Sequence, residues 1–271
     1  MNYRHAFHAG NFADVVKHLA LVRLLLHLRR KDAPFAVIDA HGGRGLYDLG
    51  SNAAKRTGEA ETGIEAVRGL TSQVEALQTY LSLAADARAY PGSPLIAAKL
   101  LRPQDRLVAV EKHPEEAEEL KNTLAIFRKA RVEEGDGYRA LAALLPPPER
   151  RGLVLLDPPF EAEDEFETLA AAVKQGIARF ATGIFLIWYP VKSQAAARSF
   201  CGEVLAGLPT TVTALTMDVS IAAPEGKLGK TGLLVLNPPF GFDTDMEAML
   251  ALVAPRLPGG KAALEWLKRE A

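Results

Sequence analysis

Short apolar runs that read as buried strands alternate along this chain with amphipathic stretches of helical length. The runs are FAVIDA (35–40), RLVAVE (106–111), RVEE (131–134), LVLLD (153–157) and GIFLIWY (183–189). Between them lie PLIAAKLL, PEEAEELKNTLAIFRKA, YRALAALL and the Glu-rich segment 163–178, with a further helix over 192–206. When a helix separates consecutive strands, the second strand can return parallel to the first. The alternation therefore predicts an α/β fold, Rossmann-like, with a mostly parallel, doubly wound sheet. ALTMDVS (214–220) and GLLVLN (232–237) break the rule, because the loop IAAPEGKLGKTG between them carries no helix. That pair predicts a hairpin and an antiparallel edge strand, the one ending in Asn237.

Ahead of the first strand, Asn11 is placed to cap a helix, with Asp14 near its positive end. Val15, Val16, Leu19, Val22, Leu25 and Leu26 follow at helical spacing, and Pro34 ends the element. Residues 50–90 interrupt the alternation. TGEAETGIEAVRGL and SQVEALQTYLSLAADA read as two amphipathic helices with no strand between them, an inserted helical subdomain within a single domain spanning 1–271.

A chain of 271 residues buries enough surface to need no covalent staple, and with Cys201 as its one cysteine it has none within itself. That cysteine usage suggests a reducing compartment. MNYRHAFHAG lacks the apolar core of a signal peptide, and HLALVRLLLHL, broken by Arg23 and His27, is too short to span a bilayer. The expectation is a cytoplasmic protein with no membrane partner, and nothing requires more than a monomer. Net charge is −1, so nucleic acid would have to be met by a local basic patch.

In an open α/β sheet, ligands bind beyond the carboxyl ends of the parallel strands, so the residues that end each strand carry the functional argument. The first strand runs into Asp39-Ala40-His41-Gly42-Gly43-Arg44-Gly45, where glycines admit a ligand close to backbone. The second ends in Glu111, able to accept both hydroxyls of a ribose. The third leads to Asp136-Gly137, where an acid can accept from an adenine amino group. The fourth ends in Asp157-Pro158-Pro159-Phe160. Taken singly these are a turn, a cap and a proline stop; in this order they spell adenosyl-cofactor binding followed by a transfer site. NAD binding calls for the first two and not for the fourth.

The fourth has its own chemistry. An exocyclic adenine nitrogen is a poor nucleophile because its lone pair is delocalised into the ring. An Asp oxygen and a proline carbonyl accept its two hydrogens and favour the pyramidal form that attacks a methyl sulfonium. The prolines stiffen the loop and offer only carbonyls, Phe160 stacks on the base, and Asp157 can take the proton after transfer. A near copy of the stretch, LLVLNPPF at 233–240, ends the antiparallel strand, so Asn237 is expected at the opposite rim.

YRHAFHAGNFADVVKH, DAHGGRG, YPGSP, EKHP, GDG, LLDPPF and IWYP together resemble the ribosomal RNA large subunit methyltransferase J family, over essentially the full chain. The resemblance implies a class I methyltransferase fold and methylation of the exocyclic N6 of an adenine in 23S rRNA. It implies S-adenosylmethionine as cofactor, S-adenosylhomocysteine as product, and no metal. Cofactor contacts would fall to His18, His41, Ser93, Glu111, Asp136 with Gly137, and Asp157. Asp157 would be the catalytic acid, and Tyr3, with Pro158 and Phe160, would lie at the target base. Phe160 stands where tyrosine also occurs in this motif, and the turn at 42–45 is not the usual GxGxG of methyltransferases. Without the resemblance, the residues equally suit transfer to DNA adenine or protein glutamine, or a nucleotide-binding protein without catalysis.

Other features are weaker. His5, His8 and His18 lack accompanying acids or cysteines, so no metal site is expected. Gly229-Lys230-Thr231 imitates a phosphate loop, but Pro224 stands where its first glycine belongs and a strand follows where a helix should. Lys227 and Lys230 in that loop, and Lys55-Arg56 in the insertion, are candidates for RNA phosphate. Trp188-Tyr189-Pro190 is a candidate wall of the base pocket.

Overall fold

The structure, a computed structural model, describes residues 8–269, without the side chains of 53–55. Asn11 caps the first helix, α1 (Phe12–Arg29), its side chain accepting the Asp14 N–H at 2.9 Å. Apolar residues occupy every side of α1, as in a helix buried all round, and it packs against the sheet and against three other helices. It ends at Arg29, short of Pro34.

From β1 (Ala36–Asp39) the chain turns through β2 (Leu46–Tyr47) into an insertion of α2 (Asn52–Thr57), α3 (Ile64–Val67) and α4 (Glu75–Leu83), and β3 (Tyr90–Pro91) pairs back with β2. The first of the two long helices expected here is cut to one turn. Gly63 explains it: a Cβ there would meet the Gly10 carbonyl oxygen at 2.1 Å, so the insertion packs backbone to backbone on the start of α1. The Ile64 N–H donates to that same carbonyl at 2.8 Å.

The alternation then proceeds as read: α5 (Ser93–Leu100), β4 (Arg106–Glu111), α6 (Pro114–Leu124), β5 (Ala130–Glu134), α7 (Gly137–Leu144), β6 (Gly152–Leu156), α8 (Glu165–Arg179), β7 (Ile184–Pro190) and α9 (Gln194–Ala206). Next come β8 (Ala214–Ser220), β9 (Lys230–Leu236), α10 (Phe242–Val253) and β10 (Lys261–Lys268). The strands order as β10-β8-β9-β7-β6-β1-β4-β5, with β5, β4, β1, β6 and β7 parallel.

The edge strand is antiparallel, but it is β10, which pairs antiparallel with β8. The strand ending in Asn237, expected at the edge, lies between β7 and β8 and is antiparallel to both. The cause is the last segment of the chain, α10 and β10, whose partly polar strand adds outside the hairpin.

Helices cover both faces and divide the core in two. Leu153 and Leu155 of β6 face the α1, α4, α5 and α10 side, while Val154 and Leu156 face α7, α8 and α9. Strand order reverses between β1 and β6, which sets the ends of these two strands side by side at the switch point. No helix among the described residues is long and apolar enough to cross a membrane.

Candidate active site

Asp157 leaves the end of β6 beside His41, which leaves the end of β1. The Asp157 N–H donates to His41 Nδ1 at 3.3 Å, so the imidazole carries its own proton on Nε2. Burial lowers the His41 pKa to about 4, so the ring is neutral at pH 7. From the other side, Lys17 of α1 donates to Asp157 Oδ2 at 2.5 Å and to Asp14 Oδ1 at 2.7 Å. All three side chains are buried. Burial disfavours the Lys17 charge, yet Asp14 and Asp157 outweigh it and raise its pKa above the ordinary lysine value. The group at the end of β6 is thus a fixed ammonium between two carboxylates. Asp14 is held in turn by the Gly10 N–H at 2.9 Å.

Two cavities meet at this group. Asp157 and Pro159 line both of them. The first is walled by strand ends: Ala40, His41 and Gly43 after β1, Glu111 after β4, and Asp136 and Gly137 after β5. Glu111 accepts the Gly43 and His113 N–H groups at 2.8 Å each, one on each oxygen. Asp136 caps α7 through the Arg139 N–H at 3.2 Å. Burial opposes its charge, but that N–H and the Lys112 ammonium hold its carboxyl below the usual range. A Cβ on Gly137 would meet the Ala40 carbonyl oxygen at 1.9 Å, so this position tolerates only glycine. Tyr138 packs edge-on against His41 at 5.0 Å and donates to Glu165 at 2.6 Å.

The second cavity opens on the far side of Asp157. Its apolar wall is Pro158, Pro159, Phe160, Trp188 and Pro190. Phe160 lies edge-on to Trp188 at 5.7 Å and to Phe166 at 4.8 Å, and it holds φ +51°, a strained conformation for a bulky side chain. Its polar wall is drawn together by Glu59 of the insertion, which bonds His8 at 2.9 Å and Asn11 and Lys227 at 3.3 Å each. Against the effect of burial, these partners hold the Glu59 carboxyl below the usual range. The insertion, the start of α1 and the β8–β9 loop therefore meet at one carboxylate.

His41, Glu111, Asp136, Gly137, Asp157, Pro158 and Phe160 line these two cavities, as does Trp188 of the WYP run. Tyr189 is core, bonded to Thr216 at 2.9 Å. His18 and Ser93 stand back from the lining: His18 is buried in α1 and bonds Tyr90 at 3.1 Å, and Ser93 is buried where α5 begins, supporting Asp39. His8 bonds Glu59, and Lys230 pairs with Asp218 at 2.8 Å. Tyr3 and His5 lie outside the described residues, as does the Lys55 side chain.

No role for Lys17 or Glu59 is read from the sequence, and Asp14 enters only as the acid near the start of α1. For Lys17 and Asp14 the signal is an acid and a base three residues apart, but in a helix that also carries His18, Arg23, His27 and Arg29 the pair does not stand out. Glu59 gave none, since its partners lie 48 to 168 residues away.

A family model described as ribosomal RNA large subunit methyltransferase D, RlmJ, matches residues 32–268. The chain is 37% identical to ribosomal RNA large subunit methyltransferase J of Haemophilus influenzae and 36% identical to that of Escherichia coli K12, over the full length of each. It also superimposes on the crystal structure of a Legionella pneumophila protein with a TM-score of 0.87 at 33% identity, covering 96% of this chain and 98% of that one.

Proposed function

This chain belongs to the ribosomal RNA large subunit methyltransferase J family, and we propose on that premise that it methylates the exocyclic N6 of an adenine in 23S rRNA, with S-adenosylmethionine as donor. The observation that carries the reading is the junction at Asp157: a cavity built from strand ends on one side, an aromatic-walled cavity on the other, and one carboxylate shared by both.

The first cavity fits the cofactor. Each Glu111 oxygen accepts one backbone N–H and retains a lone pair for a ribose hydroxyl. Asp136 stands one strand further on, as an acceptor for the adenine amino group. Gly137, with no room for a Cβ, lets backbone close over the adenosine. Neutral His41 has an Nε2–H to donate to the amino-acid end of the cofactor. Ser93 and His18 support this wall from behind. When bound, S-adenosylmethionine supplies a methyl group on a sulfonium and leaves as S-adenosylhomocysteine.

The second cavity takes the flipped adenine, since an amino group inside a helix is out of reach. Phe160 and Trp188 give it stacking faces. Asp157, with one oxygen on Lys17, uses the other to accept an amino hydrogen, and the Pro158 carbonyl accepts the second. The amino nitrogen is thereby turned out of conjugation toward the first cavity. After transfer, Asp157 receives the proton. The family resemblance assigns Tyr3 to the target base, and Lys227 at the mouth of the cavity can exchange Glu59 for an RNA phosphate. We also propose that residues 1–271 act as one domain, with 50–90 as an inserted subdomain that positions the mouth through Glu59.

Methyl transfer from labelled cofactor to unmodified 23S rRNA tests the reading. Wild type should modify adenine N6, and Asp157→Ala should lose about 10³-fold in rate while still binding cofactor. Transfer to DNA or protein instead of RNA would overturn the acceptor, and a rate that survives Asp157→Ala would overturn the mechanism.

A further inference from the structure

The two rims of the sheet differ in charge, and a row of exposed, unpaired cations lies on the rim away from the site. Arg29, Arg30 and Lys31 lead toward β1, Arg150 toward β6, and Arg179 toward β7. Arg128 and Lys129 lead into β5. All are exposed, and none is ion-paired among the described residues. Most acids on this rim are already engaged: Asp105 by Arg102, Glu149 by Arg106, Asp243 by Trp266 and Asp245 by Arg23. Asp32, exposed beside Lys31, is the exception.

Neighbouring strands lie ~4.8 Å apart, so the row of strand starts from β7 to β5 runs about 20 Å. At its two ends stand the most exposed large apolar side chains. Phe240, 98% exposed, follows β9 next to β7, and Ile126, 83% exposed, precedes β5.

The cofactor-side rim has the opposite character. Its cavities are lined by Glu59, Glu111, Asp136, Asp157 and Glu165; Lys17, Lys112 and Lys227 each face one of these acids, and Lys192, exposed at the second cavity, is a lone lysine without such a partner among the described residues. Cations already paired add little attraction for phosphate. In a chain of net charge −1, affinity for a polyanion must come from a local patch, and the row of seven unpaired cations at the strand starts sits opposite the chemistry. A positive track ending on an exposed aromatic is the form that holds single-stranded nucleic acid: phosphates along the cations, an unpaired base on the ring.

We propose that this basic rim is a second RNA-binding surface, which holds the phosphate backbone of the substrate RNA remote from the target adenine and stacks an unpaired base on Phe240. The inference rests on the rRNA reading above. At ~3.3 Å per residue, the five residues of β6 separate the rims by roughly 17 Å, so only an RNA long enough to pass around the sheet engages both.

Substrate length therefore provides the test. In the full-length enzyme, Arg30, Lys31, Arg128 and Arg179 are replaced together by Gln. With a long 23S rRNA fragment, KM should rise at least tenfold, and the slope of log affinity against log salt should fall by about three, at ~0.7–0.9 for each phosphate no longer neutralised. On an oligonucleotide just long enough to fill the adenine cavity, turnover and the KM for cofactor should match wild type. Phe240→Ala should weaken binding of the long fragment and leave the salt slope unchanged. An unchanged KM and slope on the long fragment would overturn the proposal, and so would an equal loss on both substrates. If wild type transfers no methyl to RNA, the parent reading falls, while a variant that loses salt-dependent RNA binding still supports the rim.

Discussion

LVLLDPPF and LLVLNPPF are almost the same words at the ends of two nearby strands, yet the structure uses them differently. The first ends the parallel strand β6 at the switch point; the second ends β9, which runs the other way, so its turn emerges at the opposite rim. Asp157 is charged and held by charge, between Lys17 and the His41-bonded backbone. Asn237 is neutral and held by neutral groups: its amide donates to the carbonyls of Ala181 and Gly183 at 2.8 Å each and accepts the Thr213 N–H at 3.4 Å. Each stretch holds one residue in the left-handed region. In the second it is Asn237 itself, at φ +53°, a type that tolerates it; in the first it is Phe160, at φ +51°, which does not. The strained aromatic packs against Trp188, whereas Phe240 packs on nothing and is 98% exposed. Strand direction, not the motif, decides which copy reaches the junction of the two cavities.

Removing the charge partner should break this contrast most severely. Lys17→Met leaves Asp14 and Asp157 buried without their cation, which costs about 3–5 kcal/mol in comparable pairs. Urea unfolding measures it. A loss below ~1 kcal/mol would mean that Asp157 is not held by charge.

Asn237→Ala sharpens the other half. It deletes the amide's two donations, to the Ala181 and Gly183 carbonyls, and leaves at positive φ a residue that tolerates it less than Asn does, for an expected loss of about 2–3 kcal/mol. The methyl-transfer rate per folded molecule should be that of wild type. A tenfold fall in that rate would show that the two rims are coupled through β9 and β7.

Much of this was legible in the sequence, because strand direction follows from what lies between strands. RLVAVE and ALTMDVS are strands over the residues read, and the hairpin loop without a helix correctly sent Asn237 away from Asp157. Strand-end residues gather automatically once strands are parallel, which is why His41, Glu111, Asp136 and Asp157 meet. What stayed hidden depends on packing between distant segments. Lys17 reaches Asp157 across 140 positions, and a helix buried all round has no face to advertise the contact. The insertion looked like two full helices because periodicity does not register that Gly63 must touch Gly10. β10 escaped notice because its side chains are half exposed and its apolar alternation is weak.

The smallest expected effect is a pH dependence that only the first stretch can have. Asn237 and its carbonyl partners do not titrate, whereas the Asp157 backbone is bonded to His41, whose pKa burial lowers to about 4. In the unfolded chain the same imidazole protonates near 6.5. Between those values the unfolded state binds the proton and the folded state does not, so acidification favours unfolding. The contribution is intact above pH 6.5 and is lost as pH falls toward 4. At pH 5 it should amount to about 1–2 kcal/mol. His27, lowered by burial and by Arg23, acts in the same direction, so the measurement must be a difference. Urea midpoints at pH 7.5 and pH 5 for wild type and His41→Asn isolate the His41 share, because Asn fills the site without titrating. Wild type should lose more stability than the variant, and Asn237→Ala should lose as much as wild type. Equal losses in wild type and His41→Asn would mean that His41 titrates normally, and the neutral donor assigned to the cofactor wall would fall with it.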